Sequence, residues 1–481
     1  MSIKQKTFSA VRWTSLAMFG NTVLQIAQLM ILARLLSPDD FGLMAIVYAI
    51  IAFVHVFSDL GVSNAIIHHD DVSREQLSTL YWLNVMVGFA LMVMLMLLSQ
   101  PLADYVFNLA MLQSVLLFIS LSVFVTALGQ QYRVVAEKQL RFRVVAKIEM
   151  IAGVLSFAMA VGWALVSPDV YALVIAHVVN ELAKTVLLWL NAPGDAHPQW
   201  CFRPKEIKSF MKFGGYVMAT NFVNSVNLQA DVLIAGRLFP ASALGLYSLP
   251  RTLSLRIARV INPIVTRVGL PVMAKFQKDT EKLSRIYLKT TRMTASVNMP
   301  IYLGLAFFSV ETVDVAFGER WSDAAPLLAL LSLWAMIRSS GNPVGSLLLA
   351  VGRADLSFKW NLGVMLLVPP VLWVSSRWGI QGMAIAQVLL MTILVIPSWY
   401  FLIRPACGAP LSEYFQSLLA PFLCSLIAVS LAGLMTQWIE ISWLKLLIAA
   451  LIAIPSYLVA SYLLNREWVA TVWELLLNKR M

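Results

Sequence analysis

Two stretches decide the fold when one is laid on the other. They are Asn21 to Leu43, NTVLQIAQLMILARLLSPDDFGL, and Asn224 to Leu246, NSVNLQADVLIAGRLFPASALGL. At this offset Asn21 meets Asn224, Val23 meets Val226, Ala27 meets Ala230 and Ile31 meets Ile234. Arg34 meets Arg237, Leu35 meets Leu238, Gly42 meets Gly245 and Leu43 meets Leu246. A shared apolar bias alone predicts about two or three such identities, so the chain carries an internal duplication. A second match, at a slightly longer offset, sets Leu140-Arg-Phe-Arg143 against Leu356-Ser-Phe-Lys359.

Both copies are apolar, and so is the whole chain. Of 481 residues, 59% are hydrophobic and 13% charged, with a mean hydropathy of +0.77. A soluble domain is about a quarter charged; this chain cannot cover itself with polar surface, so its solvent is lipid. Apolar segments near 11–36, 41–64, 78–98, 111–130, 148–167, 171–190, 213–237, 244–268, 293–314, 324–351, 360–376, 380–403, 415–437 and 443–464 predict about 14 membrane helices. The repeat groups them as a six-helix bundle over 1–200, a second over 201–404, and two further helices with a tail over 405–481. The expected fold is an all-α polytopic membrane protein with two parallel six-helix repeats, a transporter architecture.

Charge sets the orientation. The net charge is +11, but about 25 of the 36 Lys and Arg fall in the tails and even-numbered connections, which places N- and C-termini in the cytoplasm. The basic balance is thus a topology signal and predicts no nucleic-acid partner. The first apolar segment is too long for a signal-peptide core and has no small-residue cleavage site, so it reads as an uncleaved helix. The three cysteines, Cys201, Cys407 and Cys424, have no metal-ligand spacing, and no metal site is expected.

Polar residues inside the spans are the functional candidates. Asn21, Gln25 and Gln28 lie at i, i+4, i+7 on one helix face, and their counterparts are Asn224, Leu228 and Asp231. Such stripes either glue helices together or line a central cavity. The span 244–268 carries Arg251, Arg256 and Arg259, with Arg267 at its inner boundary. From its outer end the first three lie about 11, 18 and 23 Å deep. A charge at that depth costs about 2.5–3.5 kcal/mol, so Arg256 and Arg259 must face water or a partner. With Arg338 of the tenth span they would form a cationic site suited to phosphate, because guanidinium forks match its oxygens in pairs. The structural alternative pairs them with Asp59, Glu181 or Asp231, which they outnumber. Two weaker groups, His55 with Asp59 and His177, Asn180, Glu181 and Lys184, fit either coupling to a proton or sodium gradient or internal charge pairing.

No Gly-rich loop ending in Lys-Ser or Lys-Thr is present, so a built-in ATP motor is not expected, nor any other cofactor. No nucleophile elbow or Asp-x-Asp pair appears, and the chain does not read as an enzyme.

The connections themselves are recognisable. Ala33 to Ala45 (ARLLSPDDFGLMA), Phe57 to Ile66 (FSDLGVSNAI) and Gln76 to Asn84 (QLSTLYWLN) resemble the polysaccharide transporter family. Gly236 to Ser248, Phe317 to Leu328 and Leu349 to Leu356 extend the likeness to roughly residues 5–400. This family belongs to the superfamily of multidrug, oligosaccharidyl-lipid and polysaccharide exporters, and includes colanic acid exporters and lipopolysaccharide O-unit flippases. The resemblance implies a multi-pass protein of the bacterial inner membrane. It implies translocation of an undecaprenyl-pyrophosphate-linked oligosaccharide, for colanic acid, capsule or O-antigen type polysaccharide, by alternating access around a cationic cavity. The implied partners are that lipid-linked oligosaccharide, membrane lipid, and polymerase and chain-length proteins of the same pathway. Two alternatives stand beside it. A cation antiporter is opposed by the intramembrane Arg, and a membrane polymerase by outer connections of only about ten residues.

Overall fold

A computed structural model describes residues 20–68, 72–194 and 197–477. Residues 11–19 of the first predicted span and the side chain of Arg267 lie outside those described. Among the described residues there are helices and turns and no strand, as expected where every backbone group must be satisfied within its own segment. The first helix, α1, covers 20–35. It is followed by α2 (Pro38–Asp59), α3 (Val62–His68), α4 (Arg74–Pro101), α5 (Ala110–Lys138), α6 (Phe142–Val166), α7 (Tyr171–Leu190), α8 (Lys208–Leu238) and α9 (Ala241–Lys275). Then come α10 (Thr280–Phe307), α11 (Ser309–Phe317), α12 (Ala325–Ser340), α13 (Pro343–Ala350), α14 (Ala354–Ser375), α15 (Gly379–Ser398), α16 (Arg404–Cys407), α17 (Leu411–Thr436), α18 (Ser442–Leu464) and α19 (Arg466–Leu477).

Local chemistry sets the ends. Ser37 caps α2: its hydroxyl accepts from the Asp40 N–H while the Asp40 carboxylate accepts from the Ser37 N–H at 2.9 Å. Pro38 supplies the fixed φ of the first turn. Leu60 and Gly61 take the left-handed region, φ 48° and 69°, and stop the helix. Ser73 and Gln76 form the same reciprocal cap on α4.

Nine helical stretches among the described residues are long and apolar enough to cross a bilayer, or ten if α10 and α11, bent by 82°, make one span. One of the nine, Ala354–Cys407, holds two predicted spans, α14 and α15, which fold back and pack on each other. Two further long helices, α8 and α9, fall short of that apolarity. Asn221, Asn224, Asn227 and Asp231 dilute the first, and three arginines by Arg259 the second. Helices also run past the predicted apolar cores. At 1.5 Å per residue the 35 residues of α9 extend about 52 Å, well beyond a hydrocarbon core of about 30 Å. The basic connections are therefore largely helix ends joined by short turns.

Packing divides the chain into two compact units, 1–245 and 246–481. The sequence repeat breaks near 200, whereas packing gives α8 and the first residues of α9 to the first unit. Two backbone contacts account for this. A Cβ on Gly61 would stand 2.6 Å from the Gly214 Cα, so α8 lies directly against the end of α2. At the other end of α2, a Cβ on Gly42 would stand 2.7 Å from the Ala241 carbonyl carbon and 2.9 Å from Gly245 N. The contact is reciprocal: a Cβ on Gly245 would stand 2.6 Å from the Pro38 carbonyl carbon. Pro38 and Ala241, like Gly42 and Gly245, are equivalent positions of the duplication. The two copies of the repeat thus touch each other with pseudo-two-fold symmetry at the residues that define it.

In the first unit α5 is central and touches α2, α3, α4, α6 and α7. The segment entering α8 is laid along the start of α4. Trp200 stacks on Trp82 at 4.5 Å, and the Trp82 indole donates to the Gln199 carbonyl at 2.9 Å. In the second unit α10 packs against α12 and α17, and α17 pairs with α18. Trp321, Tyr287, Tyr302 and Phe317 are fully buried there. Leu434, Leu451, Ile454 and Val459 of α17 and α18 are exposed, which suits a surface wetted by lipid tails.

Candidate functional site

The arginine helix α9 is tethered along one face. Tyr247 Oη accepts from Gln387 Nε2 of α15 at 2.7 Å. The Ser254 carbonyl accepts from Tyr302 Oη of α10 at 2.8 Å. Asn262 Oδ1 accepts from Asn298 Nδ2 of α10 at 3.2 Å and from Ser339 Oγ of α12 at 2.8 Å. These anchors are spaced as one helical stripe. Arg251 falls within that stripe and is buried. Arg256 falls on the opposite side and is partly buried, while Arg259, between that side and Asn262, is exposed. Because α9 starts at Ala241, the three arginines lie about 15, 22 and 27 Å along its axis. Arg251 and Arg259 remain within electrostatic reach of each other. Arg338 is exposed on α12, its guanidinium 5.4 Å from the Trp334 ring centre. Asn298, Tyr302, Ser339 and Gln387 carry this scaffold, and sequence reasoning did not single them out. The signal available was a lone Asn or Gln inside an apolar span.

The two amide stripes part company. Asn21 of α1 packs on α6, its Oδ1 2.7 Å from where a Cβ on Gly153 would stand, and Gln25 and Gln28 are partly buried. The counterpart Asn224 is exposed. Asp231 is buried and engaged with neighbours.

A second polar group lies inside the first unit. His177, Glu181 and Lys184 form an i, i+4, i+7 stripe on α7. Lys184 Nζ donates to Glu181 Oε1 at 2.8 Å, and Thr126 Oγ1 of α5 approaches Glu181 Oε2 at 3.4 Å. His55 of α2 lies within electrostatic reach of Glu181 and Lys184, and Tyr48 meets the His177 ring edge-on at 5.6 Å. Asp59, one turn beyond His55, goes elsewhere: it accepts from Ser63 Oγ and, at 3.2 Å, from Gln130 Nε2 of α5. The sequence grouping of His55 with Asp59 is therefore replaced by a grouping of His55 with α7. Asp59 and Glu181 have partners within their own unit. Sequence reasoning also missed the partly buried Lys445–Glu311 pair, 2.6 Å between α18 and α11. Among the described residues no three His, Cys, Asp or Glu side chains gather as for a metal ion.

Comparison with known proteins places this architecture. The chain is 33% identical over 427 residues to the lipopolysaccharide biosynthesis protein WzxC of Escherichia coli (strain K12), covering 89% of this chain and 87% of that one. It is 33% identical over 425 residues to the teichuronic acid biosynthesis protein TuaB of Bacillus subtilis (strain 168), covering 88% and 87%. Its fold is similar to that of the lipid II flippase MurJ in an inward closed conformation, with a TM-score of 0.76 at 14% identity over 95% of this chain and 99% of that one. An inward-facing multidrug resistance transporter of the MATE family gives 0.61 at 12% identity, over 85% and 95%. The protein is a multi-pass membrane protein. The model of the polysaccharide biosynthesis protein family matches residues 31–326, and with these relatives it shows that the chain belongs to that family.

Proposed function

We propose that this protein is a transporter of the bacterial inner membrane, not an enzyme, which moves a lipid-linked oligosaccharide across the bilayer for surface polysaccharide assembly. The relatives' roles in polysaccharide biosynthesis and transport support the class. A single structural observation supports the site: Arg259 is exposed at membrane depth on α9, one turn from Arg256. A guanidinium there is tolerable only against water or an anion. Two forks one turn apart suit the adjacent phosphates of a pyrophosphate, and the exposed Arg338 of the same unit adds a polar group for the glycan. The substrate on this reading is undecaprenyl-pyrophosphate-linked, with its polyprenyl tail left in lipid.

Fourteen crossings with both termini cytoplasmic put the Gly42–Gly245 contact at the outer end of the helices. Transport proceeds by alternating access, in which the cationic face opens to one side at a time and no bond is made or broken.

The test is reconstitution into liposomes with a fluorescent lipid-linked oligosaccharide, followed by enzymatic probing of its accessibility. Each charge-assisted hydrogen bond contributes about 1.5–3 kcal/mol. Arg256→Gln with Arg259→Gln is expected to lower the rate at least about tenfold while insertion is unchanged. Wild-type flipping with both changes present would remove the site assignment. Export of small organic cations without any glycolipid flipping would replace the transport reading by the antiporter.

A further inference from the structure

We infer that the inner half of the α14–α15 pair binds one anionic phospholipid of the cytoplasmic leaflet, with an acyl chain in a groove and the phosphate on Lys359. This site uses the topology above and does not depend on what the protein transports.

The groove follows from the sequence of its walls. On α14, Leu356, Lys359, Trp360, Gly363 and Leu367 fall on one face at three- and four-residue spacing. Across from them stand Leu394 of α15 and Phe401 of the wide π-type turn Trp399–Ile403 that follows it. Proline interrupts both walls, as Pro369 and Pro370 in α14 and Pro397 in α15. Each proline removes a backbone hydrogen bond and presses on the carbonyl four residues earlier, which disfavours the straight path that close pairing needs. The pair is tight at its outer turn, where a Cβ on Gly382 would stand 2.9 Å from the Ser375 carbonyl oxygen. Toward the inner end nothing lies within 4 Å of a Cβ on Gly363. The space left there is a cavity of about 400 Å³.

Dimensions and charge choose the occupant. From Leu356 to Leu367 the groove runs about 17 Å along α14. That is close to half of a hydrocarbon core of about 30 Å, the depth of one leaflet. The lining side chains are aliphatic or aromatic apart from Lys359. Leu367 and Phe401 are exposed, so a lipid tail can enter from the side. Lys359 lies near the start of α14, the cytoplasmic end in the proposed topology, where a long cationic side chain snorkels toward water. Its side chain is 75% exposed, and its ion pair with Asp355 is a loose 3.9 Å contact. The Asp355 carboxylate is instead engaged by Arg353 at 3.0 Å. Arg404, just beyond the π-type turn, sits 5.8 Å from the Trp399 ring centre and 5.7 Å from that of Tyr400. The mouth is thus a basic rim with tryptophans at headgroup level, above one leaflet's depth of apolar groove. That combination complements a phosphate carrying an acyl chain. The polyprenyl tail of the proposed substrate is far longer than this groove.

Photolabelling of the full-length protein tests the site without a transport assay. In nanodiscs of phosphatidylcholine, a phosphatidylglycerol probe with a diazirine on one acyl chain is expected to label residues 356–367 or 394–402. Gly363→Trp fills the groove where a Cβ meets nothing. It should cut that labelling at least about fivefold, the equivalent of about 1 kcal/mol of binding. Gly363→Leu should cut it less, and labelling of the exposed α17 and α18 surface should stay constant in both variants. Lys359→Gln should remove the preference for this probe over the same probe built on phosphatidylcholine. Undiminished labelling in Gly363→Trp, or wild-type labelling indifferent to the headgroup, would overturn the proposal. Displacement of the probe by polyprenyl phosphate but not by unlabelled phosphatidylglycerol would also overturn it, and would give the groove to the transported lipid. Because the readout is labelling, failure of the transport reading would leave this result standing.

Discussion

The contact between the two repeats at Gly42 and Gly245 offers the sharpest test of the fold. Gly42→Ala adds one methyl where the Ala241 carbonyl carbon lies 2.7 Å away and Gly245 N 2.9 Å. Ordinary contact begins at 3.4 Å, so α2 and the start of α9 must part by at least about 0.7 Å. The obstacle is backbone, and no side chain can rotate away to relieve it. Overpacking of this kind costs about 1–3 kcal/mol. If the cost is relieved by separating the two segments, the packed arrangement of α2 on the start of α9 loses about 5- to 150-fold in relative population. Gly245→Ala should do the same, because its methyl meets the Pro38 carbonyl carbon at 2.6 Å. Since both relieve the same overlap by the same movement, the double variant should cost clearly less than the sum of the two. The assay is labelling of a single cysteine at Ala241, with Cys201, Cys407 and Cys424 replaced, by a membrane-impermeant maleimide. Each alanine is expected to raise the labelling rate at least severalfold. Unchanged labelling in both single variants, or strictly additive effects, would refute the contact.

Three further outcomes follow from other contacts. Asn298→Leu removes one of two donors to Asn262 Oδ1; it should lower stability in detergent by about 0.6–2 kcal/mol, read as a shift in thermal unfolding. Lys445→Met strands Glu311, whose side chain is only 14% exposed; a loss of about 3–5 kcal/mol is expected, and Glu311→Gln in the same chain should restore most of it. Asp279, which caps α10, is held below the usual carboxylate range by hydrogen bonds from the Lys282 side chain and backbone N–H. Its folded pKa is the depressed one, so its contribution is present above the unfolded value of about 3.9 and is lost as pH falls through the folded value. Hydrogen exchange in the first turn of α10 should accelerate over that window in wild type and show no such step in Asp279→Asn.

Much of this was legible in one dimension because a membrane imposes a one-dimensional rule. A helix that crosses lipid must be apolar over about 20 residues, so α2, α4 to α7, α17 and α18 announce themselves by hydropathy. The weak cases, α8 and α9, were recovered only through the repeat, since Asn224, Asp231 and the arginines pull their hydropathy down. Of the candidate site, the shared face of Arg256 and Arg259 follows from helical spacing alone. Spacing could not assign Arg251 to a side, because that depended on Tyr302, Ser339, Asn298 and Gln387, which come from three other helices.

The sequence by itself determined the class of solvent, the family and the duplication, since apolar length, repeat identity and connection motifs are properties of short segments. Only the tertiary structure decided which polar residues meet. His55 left Asp59 for the stripe on α7, Asp59 took Gln130, and Glu311 found Lys445. Partners within one helix are fixed by its 3.6-residue period. Partners between helices depend on rotation and register, and those are set by close packing at residues such as Gly42, Gly61 and Gly245, whose smallness reveals nothing until the opposing backbone is seen.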